Sequence, residues 1–374
     1  MSGYRVISSD SHIVEPPDLW LDRMDPRYND RIPHIVSLDH YDQWFCDHQS
    51  IGSTGSALGA GLRFSNPKDI SLEAKFDDAI PGGYDPHARI HDMDLDGIGA
   101  DVIYSSIAGV MYKVADPDLM RNVFAAYNDW LADFCAPYPN RLKGIGQILL
   151  DDNMDAGLAE LNRIVKLGLC GTMIPLFPRV GESYDHPTMY EPLWASAQAL
   201  NIPLSLHIGT RRPGSHTLDA EGKIIQKPSD RSTTDYWIRM SLADLIFSGV
   251  FERYPDLRVV NVEHDASWVP YFMFRMDTTY RDRHFQATYR FKGDTLPSDF
   301  MRSNVYHSFQ EDGLGIRLRD IIGVDKIMWG SDYPHTESTF PRSQEILAEI
   351  LEGVPEKEKA MIVGGNCARL YGIN

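Results

Sequence analysis

The sequence predicts an α/β protein folded as a (β/α)8, or TIM, barrel, and two observations carry that expectation. Short apolar, β-branched runs alternate with longer amphipathic stretches from end to end, and eight such runs occur. Side chains able to hold a metal fall in or at the ends of five of those runs. A barrel of parallel strands builds its active site at the strand ends. The length, 374 residues, is ordinary for such a barrel with insertions.

Strands are expected over 4–8, 101–105, 144–149, 171–175, 204–207, 258–263, 305–309 and 326–330. The runs "RVVNVE" and "DKIMWG" lack strict alternation, as strands buried on both faces do. The clearest helix opens with Asp116 as N-cap and Pro117 at the first helical position. Leu119, Val123, Trp130, Leu131 and Phe134 then recur on one face, and Pro137 and Pro139 close the element. Its aromatics, Tyr127 and Trp130, read as packing. A second helix runs through Leu158, Leu161, Ile164 and Val165 to Gly168, and a third over 190–200 leads into the strand carrying His207.

Two stretches depart from this repeat. Residues 14–86 form an insertion rich in Gly and Pro, whose "GSTGSALGAG" lacks the GK[ST] of a phosphate loop. Residues 209–235 form a polar, basic loop directly after His207. Long loops without periodicity in a compact fold serve function or move, so both are candidate lids. No repeat and no linker divides the chain, and a single barrel domain over 1–374 is expected.

Hydrophobic residues make up 43% and charged residues 24%, enough for a large core. The formal charge is −17, from 53 acidic and 36 basic residues. That excludes a general nucleic-acid binder, which needs a basic face, and disfavours anionic membranes. A small anionic substrate stays open, because a cation and a few arginines can dominate the field inside a cleft. Cys46, Cys135, Cys170 and Cys367 are scattered without a CxxC pair. They read as reduced thiols of a cytoplasmic protein. Neither a signal peptide nor an apolar run of membrane-spanning length is seen.

Asp10 and His12 follow the first strand, His207 ends the fifth, Glu263 and His264 end the sixth, His307 lies in the seventh and Asp332 follows the eighth. Buried imidazoles and carboxylates are expensive unless paired or bound to metal, so one shared centre explains them best. In an extended strand residues i and i+2 point the same way, which lets Asp10 and His12 grip one cation. With His207 and Asp332 they form a set of two imidazoles and two carboxylates, suited to zinc, manganese or iron(II).

The motifs "DSHIVEP" at 10–16, "SLHIG" at 205–209, "VEHDASWVP" at 262–270 and "WGSDYPH" at 329–335 resemble those of the amidohydrolase superfamily. Within it they resemble the amidohydrolase-related branch that includes aminocarboxymuconate semialdehyde decarboxylase and gamma-resorcylate decarboxylase. The resemblance spans essentially the whole chain. It implies a barrel holding one divalent metal, zinc or manganese with iron as a further choice, often assembled as a dimer. Asp10, His12, His207 and Asp332 match the branch's ligands, and His264 matches its catalytic histidine. Binuclear relatives bridge their metals with a strand-four lysine or glutamate, and "GTMIPL" has neither, which favours a single ion. Glu263, His264 and His307 nevertheless leave a second ion open, and with it a dinuclear oxygenase chemistry.

The expected function is therefore metal-assisted hydrolysis or non-oxidative decarboxylation of a small, carboxylated molecule, with the cation as Lewis acid. Asp332 accepts the proton in hydrolysis. In decarboxylation His264 delivers or removes the proton at carbon. Glu263 is expected to hold a histidine rather than touch metal. His307 faces the axis only if the strand's pleat favours it over Tyr306. His335 reads as structural or rim, and Glu15 as a solvated loop carboxylate. Arg211 and Arg212 sit in the loop after His207 and offer forked donors to a substrate carboxylate.

Overall fold

The structure of the protein, a computed structural model, describes residues 4–53, 55–71, 73–150, 152–178, 183–210 and 227–374. Its first strand, β1 (Ile7–His12), is buried along its whole length. The sequence predicted a strand ending at Ser8 because "SSDS" is polar. The structure shows why a polar run can be buried: Ser9 Oγ donates to Trp329 O at 2.9 Å and Ser11 Oγ to Val102 O at 2.9 Å. A buried hydroxyl with a partner carries little penalty.

The insertion at 14–86 has structure of its own. Strands β2 (His34–Ser37), β3 (Asp42–Cys46) and β4 (Gln49–Ser53) form a small antiparallel sheet. Trp44 on β3 packs edge-on against Trp20, whose indole N–H donates to Val123 O in the helix Pro117–Cys135. The insertion is thereby pinned to the outer helical layer.

The remaining strands are β5 (Ala100–Tyr104), β6 (Leu142–Gln147), β7 (Gly171–Ile174), β8 (Leu204–His207), β9 (Val259–Val262), β10 (Val305–Phe309) and β11 (Ile327–Trp329). With β1 they make one eight-stranded sheet in the order β1-β5-β6-β7-β8-β9-β10-β11, with parallel pairing throughout. The seam between β1 and β11 is bridged by Asp332 N donating to Asp10 O at 2.9 Å and Ser331 N to Ser8 Oγ at 2.9 Å. Gly330 makes this approach possible, since a Cβ there would lie 2.6 Å from that of Asp10.

Helices fill the intervals as expected. Asp116 caps the helix Pro117–Cys135 by accepting from Asp118 N and Leu119 N, and Leu119, Val123, Leu131 and Phe134 are buried while Trp130 is only partly so. In the helix Met154–Lys166 Leu161 and Ile164 are buried, but Val165 is exposed. All four cysteines are free thiols. No helix among the described residues is long and apolar enough to cross a membrane.

Candidate metal centre

The ends of β1, β8 and β9 and the turn after β11 bring their polar side chains to one buried place. Ligand-capable atoms of Asp10, His12, His207 and Glu263 all lie within 4.8 Å of one another, as do those of His12, Asp332 and His335. His12 Nε2 is 3.5 Å from Asp10 Oδ1 and 3.4 Å from Asp332 Oδ1. His207 Nε2 is 3.5 Å from the same Asp10 oxygen and 3.6 Å from Glu263 Oε2.

Backbone irregularities aim these groups. The register between β1 and β5 shifts between Ser8 and Ser11, so Asp10 sits in a bulge rather than in the plain alternation the sequence suggested. It still converges with His12. Glu263 and Asp332 both adopt left-handed backbone, with φ of 62° and 60°. Such conformations are uncommon for residues with a side chain and gather at functional sites.

The imidazole tautomers follow from hydrogen bonding. His12 Nδ1 faces Ser105 O at 2.9 Å and His207 Nδ1 faces Ile208 O at 2.8 Å. A carbonyl oxygen only accepts, so each ring donates from Nδ1 and turns a lone pair at Nε2 toward the cluster. Neither Nε2 has a hydrogen-bond partner among the described residues, and neither does Asp10 Oδ1. Lone pairs and carboxylate oxygens crowded together out of water repel unless a cation lies between them. Without one, protons must serve. Burial opposes charge on His207, but Asp10 and Glu263 outweigh it and push the ring up to about 9. Burial, with the neighbouring Asp332, pushes Glu263 up to about 8. The chemistry of this donor set, imidazoles with carboxylates, is of the kind that suits a divalent cation, and the two groups overlap at His12.

Glu263 therefore stands among the candidate ligand atoms, closer in than the sequence suggested. His335 is the residue sequence reasoning undervalued. Its ring stacks on His12 with centroids 3.9 Å apart, and its Nδ1 lies 2.9 Å from Asp332 Oδ1. The available signal was its spacing, three residues past Asp332 across Pro334. Glu15 is fully buried rather than solvated, and one oxygen accepts the backbone N–H groups of Ser106, Ile107 and Ala108. It orders the turn whose Ser105 carbonyl holds His12.

His264 is buried, with no hydrogen-bond partner for either ring nitrogen among the described residues. Burial, then His207, lowers it to about 3, so the ring is neutral. The structure does not bring His307 into the cluster. Its Nδ1 is 3.2 Å from Asn261 Nδ2 and its ring lies edge-on to Trp268. The second-ion set of Glu263, His264 and His307 is thus not assembled: of the three only Glu263 stands among the gathered ligand atoms. Arg211 and Arg212 lie outside the described residues, as does most of the 209–235 loop. Directly after His207, Ile208 and Gly209 border a cavity of about 190 Å³ that Leu176, Thr233, Tyr236 and Trp237 also line.

With this geometry in place, the sequence profile of the amidohydrolase family matches residues 98–373. The chain belongs to the amidohydrolase family. It is an enzyme of that family, built on the family's barrel. A gamma-resorcylate decarboxylase of Polaromonas sp. is 26% identical over 302 residues, covering 76% of this chain and 87% of that protein. The crystal structure of an amidohydrolase from Mycobacterium avium subsp. paratuberculosis matches with a TM-score of 0.81 at 22% identity, over 100% of both chains. A 5-carboxyvanillate decarboxylase from Novosphingobium aromaticivorans, complexed with manganese and 4-hydroxy-3-methoxy-5-nitrobenzoic acid, matches with a TM-score of 0.68 at 20% identity, over 99% of this chain and 96% of that one.

Proposed function

We propose that this amidohydrolase is a metal-dependent, non-oxidative decarboxylase of a small carboxylated aromatic. The observation that carries the reading is the buried cluster in which the Nε2 atoms of His12 and His207 and the oxygens of Asp10 and Asp332 face one another at 3.4–3.5 Å. The relatives point to decarboxylation rather than hydrolysis or oxygenation, because gamma-resorcylate and 5-carboxyvanillate decarboxylases recur among them. Manganese, bound in one of those relatives, is the metal we assign in preference to zinc.

Asp10, His12, His207 and Asp332 are the proposed ligands. A divalent cation there supplies Lewis acidity toward substrate oxygens. His264, buried beside His207 with both ring nitrogens unpartnered among the described residues, is the proposed proton carrier at the carbon that loses its carboxylate. A proton taken up from water passes through His264 onto that carbon, the C–C bond breaks, its electrons remain with the ring, carbon dioxide leaves, and His264 is neutral again. Arg211 and Arg212 are proposed to hold a substrate carboxylate. The chain is proposed to act as one barrel unit over 1–374, with 14–86 and 209–235 covering its mouth. Ion pairs of Arg63 with Glu311 and of Arg231 with Glu337 support that, since they tie both segments to loops after β10 and β11.

The test is metal analysis with a panel of carboxylated phenols, following carbon dioxide release. His264→Ala is expected to retain metal and lose turnover. Hydrolysis of an amide, ester or lactone by the manganese-loaded protein, with no carbon dioxide from the panel, would overturn the proposal.

A further inference from the structure

A guanidinium is buried just beneath the candidate centre, and its contacts fall on the backbone that carries the ligands. Arg89, in the helix Pro86–Asp96, has no exposed surface. Its Nη1 donates to the carbonyl of His12 at 2.7 Å and to Gly82 O at 3.3 Å. Nη2 donates to Ser11 Oγ at 2.8 Å, and Nε to Asp101 Oδ2 on β5 at 2.8 Å. The plane lies 4.3 Å from the ring centre of Tyr333. Tyr333 follows Asp332 directly, and its carbonyl accepts the backbone N–H of His12 at 2.6 Å.

One side chain therefore holds the carbonyl of one candidate ligand, the hydroxyl preceding it, and the ring adjoining another. An ion pair with Asp101 alone would need none of these. The flat, five-donor fork of arginine spans them together, which a lysine ammonium cannot. We propose that Arg89 is a positioning residue of the metal centre, setting His12 against Asp332 through the carbonyl of His12 and the ring of Tyr333. The inference rests on the metal reading above. It assigns Arg89 no contact with metal or substrate. It also gives the Pro81–Gly83 turn a function, because Gly82 ties the end of the insertion to the same guanidinium.

The experiment measures the dissociation constant for Mn²⁺ of the full-length protein, after removal of metal by chelation, in Arg89→Lys and Ser11→Ala. Arg89→Lys keeps the charge opposite Asp101 and loses the fork. It is expected to weaken Mn²⁺ binding by at least about tenfold, the range for groups that orient a ligand. Ser11→Ala removes one tether and is expected to weaken binding about threefold, below the range for losing the whole orienting group. A remote core variant, Val123→Ala, chosen to lower the metal-free melting temperature, is expected to leave the constant unchanged. Mn²⁺ affinity within a factor of about two of the native value in folded Arg89→Lys would overturn the proposal. If Arg89→Lys does not fold, unchanged affinity in Ser11→Ala overturns it. Equal weakening in Val123→Ala would show a general loss of stability and overturn it too. A native chain that binds no Mn²⁺ would remove the metal reading itself, an outcome distinct from all of these.

Discussion

Arg89, sealed from water, and the largely buried carboxylate–imidazole cluster meet at the end of β1, and they are built in opposite ways. Every nitrogen of Arg89 donates to a carbonyl, hydroxyl or carboxylate of the chain itself. In the cluster Asp10 Oδ1, His12 Nε2 and His207 Nε2 find no hydrogen-bond partner among the described residues. Burying charge is tolerated only when it is compensated. Arg89 is compensated from within, so it reads as scaffold. The cluster is compensated only by protons it holds among its own members, or by a cation if one is bound.

The largest expected effect breaks the internally compensated side. Arg89→Met leaves Asp101 a buried carboxylate without its ion pair and is expected to destabilise the metal-free protein by about 3–5 kcal/mol. Denaturant midpoints check this, and a loss below about 1 kcal/mol, the worth of a surface pair, would erase the contrast. The cluster should respond instead to what is added. Mn²⁺ at about a hundred times its dissociation constant is expected to stabilise by about 2.7 kcal/mol. His207→Ala and Asp332→Ala should each strip most metal by elemental analysis and abolish that gain. A gain that survives both variants would place the ion elsewhere.

A third buried charge sharpens the comparison by pH. Asp96 accepts from Ser343 N and Oγ, yet burial outweighs those bonds and pushes it up to about 6. The folded protein thus holds this proton more tightly than the unfolded chain does. The resulting stability is present in full below the unfolded value near 4 and is lost as pH rises through 6. Between pH 5 and pH 7 the loss is on the order of 1.4 kcal/mol, and Asp96→Asn should flatten it. An equal slope in the variant would assign it to other groups. Smallest is a cap far from either site: Asp116→Ala should cost about 1 kcal/mol, read by thermal melting, with Mn²⁺ affinity unchanged.

Much of the fold was legible because strand and helix patterns are local. Seven of the eight barrel strands lie within two residues of their expected starts, and the Asp116–Pro117 helix start is as read. The first strand was misplaced because its serines look like a loop until the neighbouring strands supply their partners. The three-stranded sheet of the insertion carries too few residues per strand for a pattern to stand out. At the site, Asp10, His12, His207 and Asp332 were legible as residue types at strand ends. That Glu263 would stand among the gathered ligand atoms was not legible, because left-handed backbone at that residue is not written in composition.

By itself, then, the order of amino acids determined an eight-strand repeat and which donor atoms it could present. Tertiary structure alone decided that these atoms gather in one cluster, that His335 joins them, and that Arg89 reaches the carbonyl of His12. The reason is range: periodicity reflects neighbours a few residues apart, whereas convergence depends on closing a sheet between β1 and β11, more than three hundred residues apart along the chain.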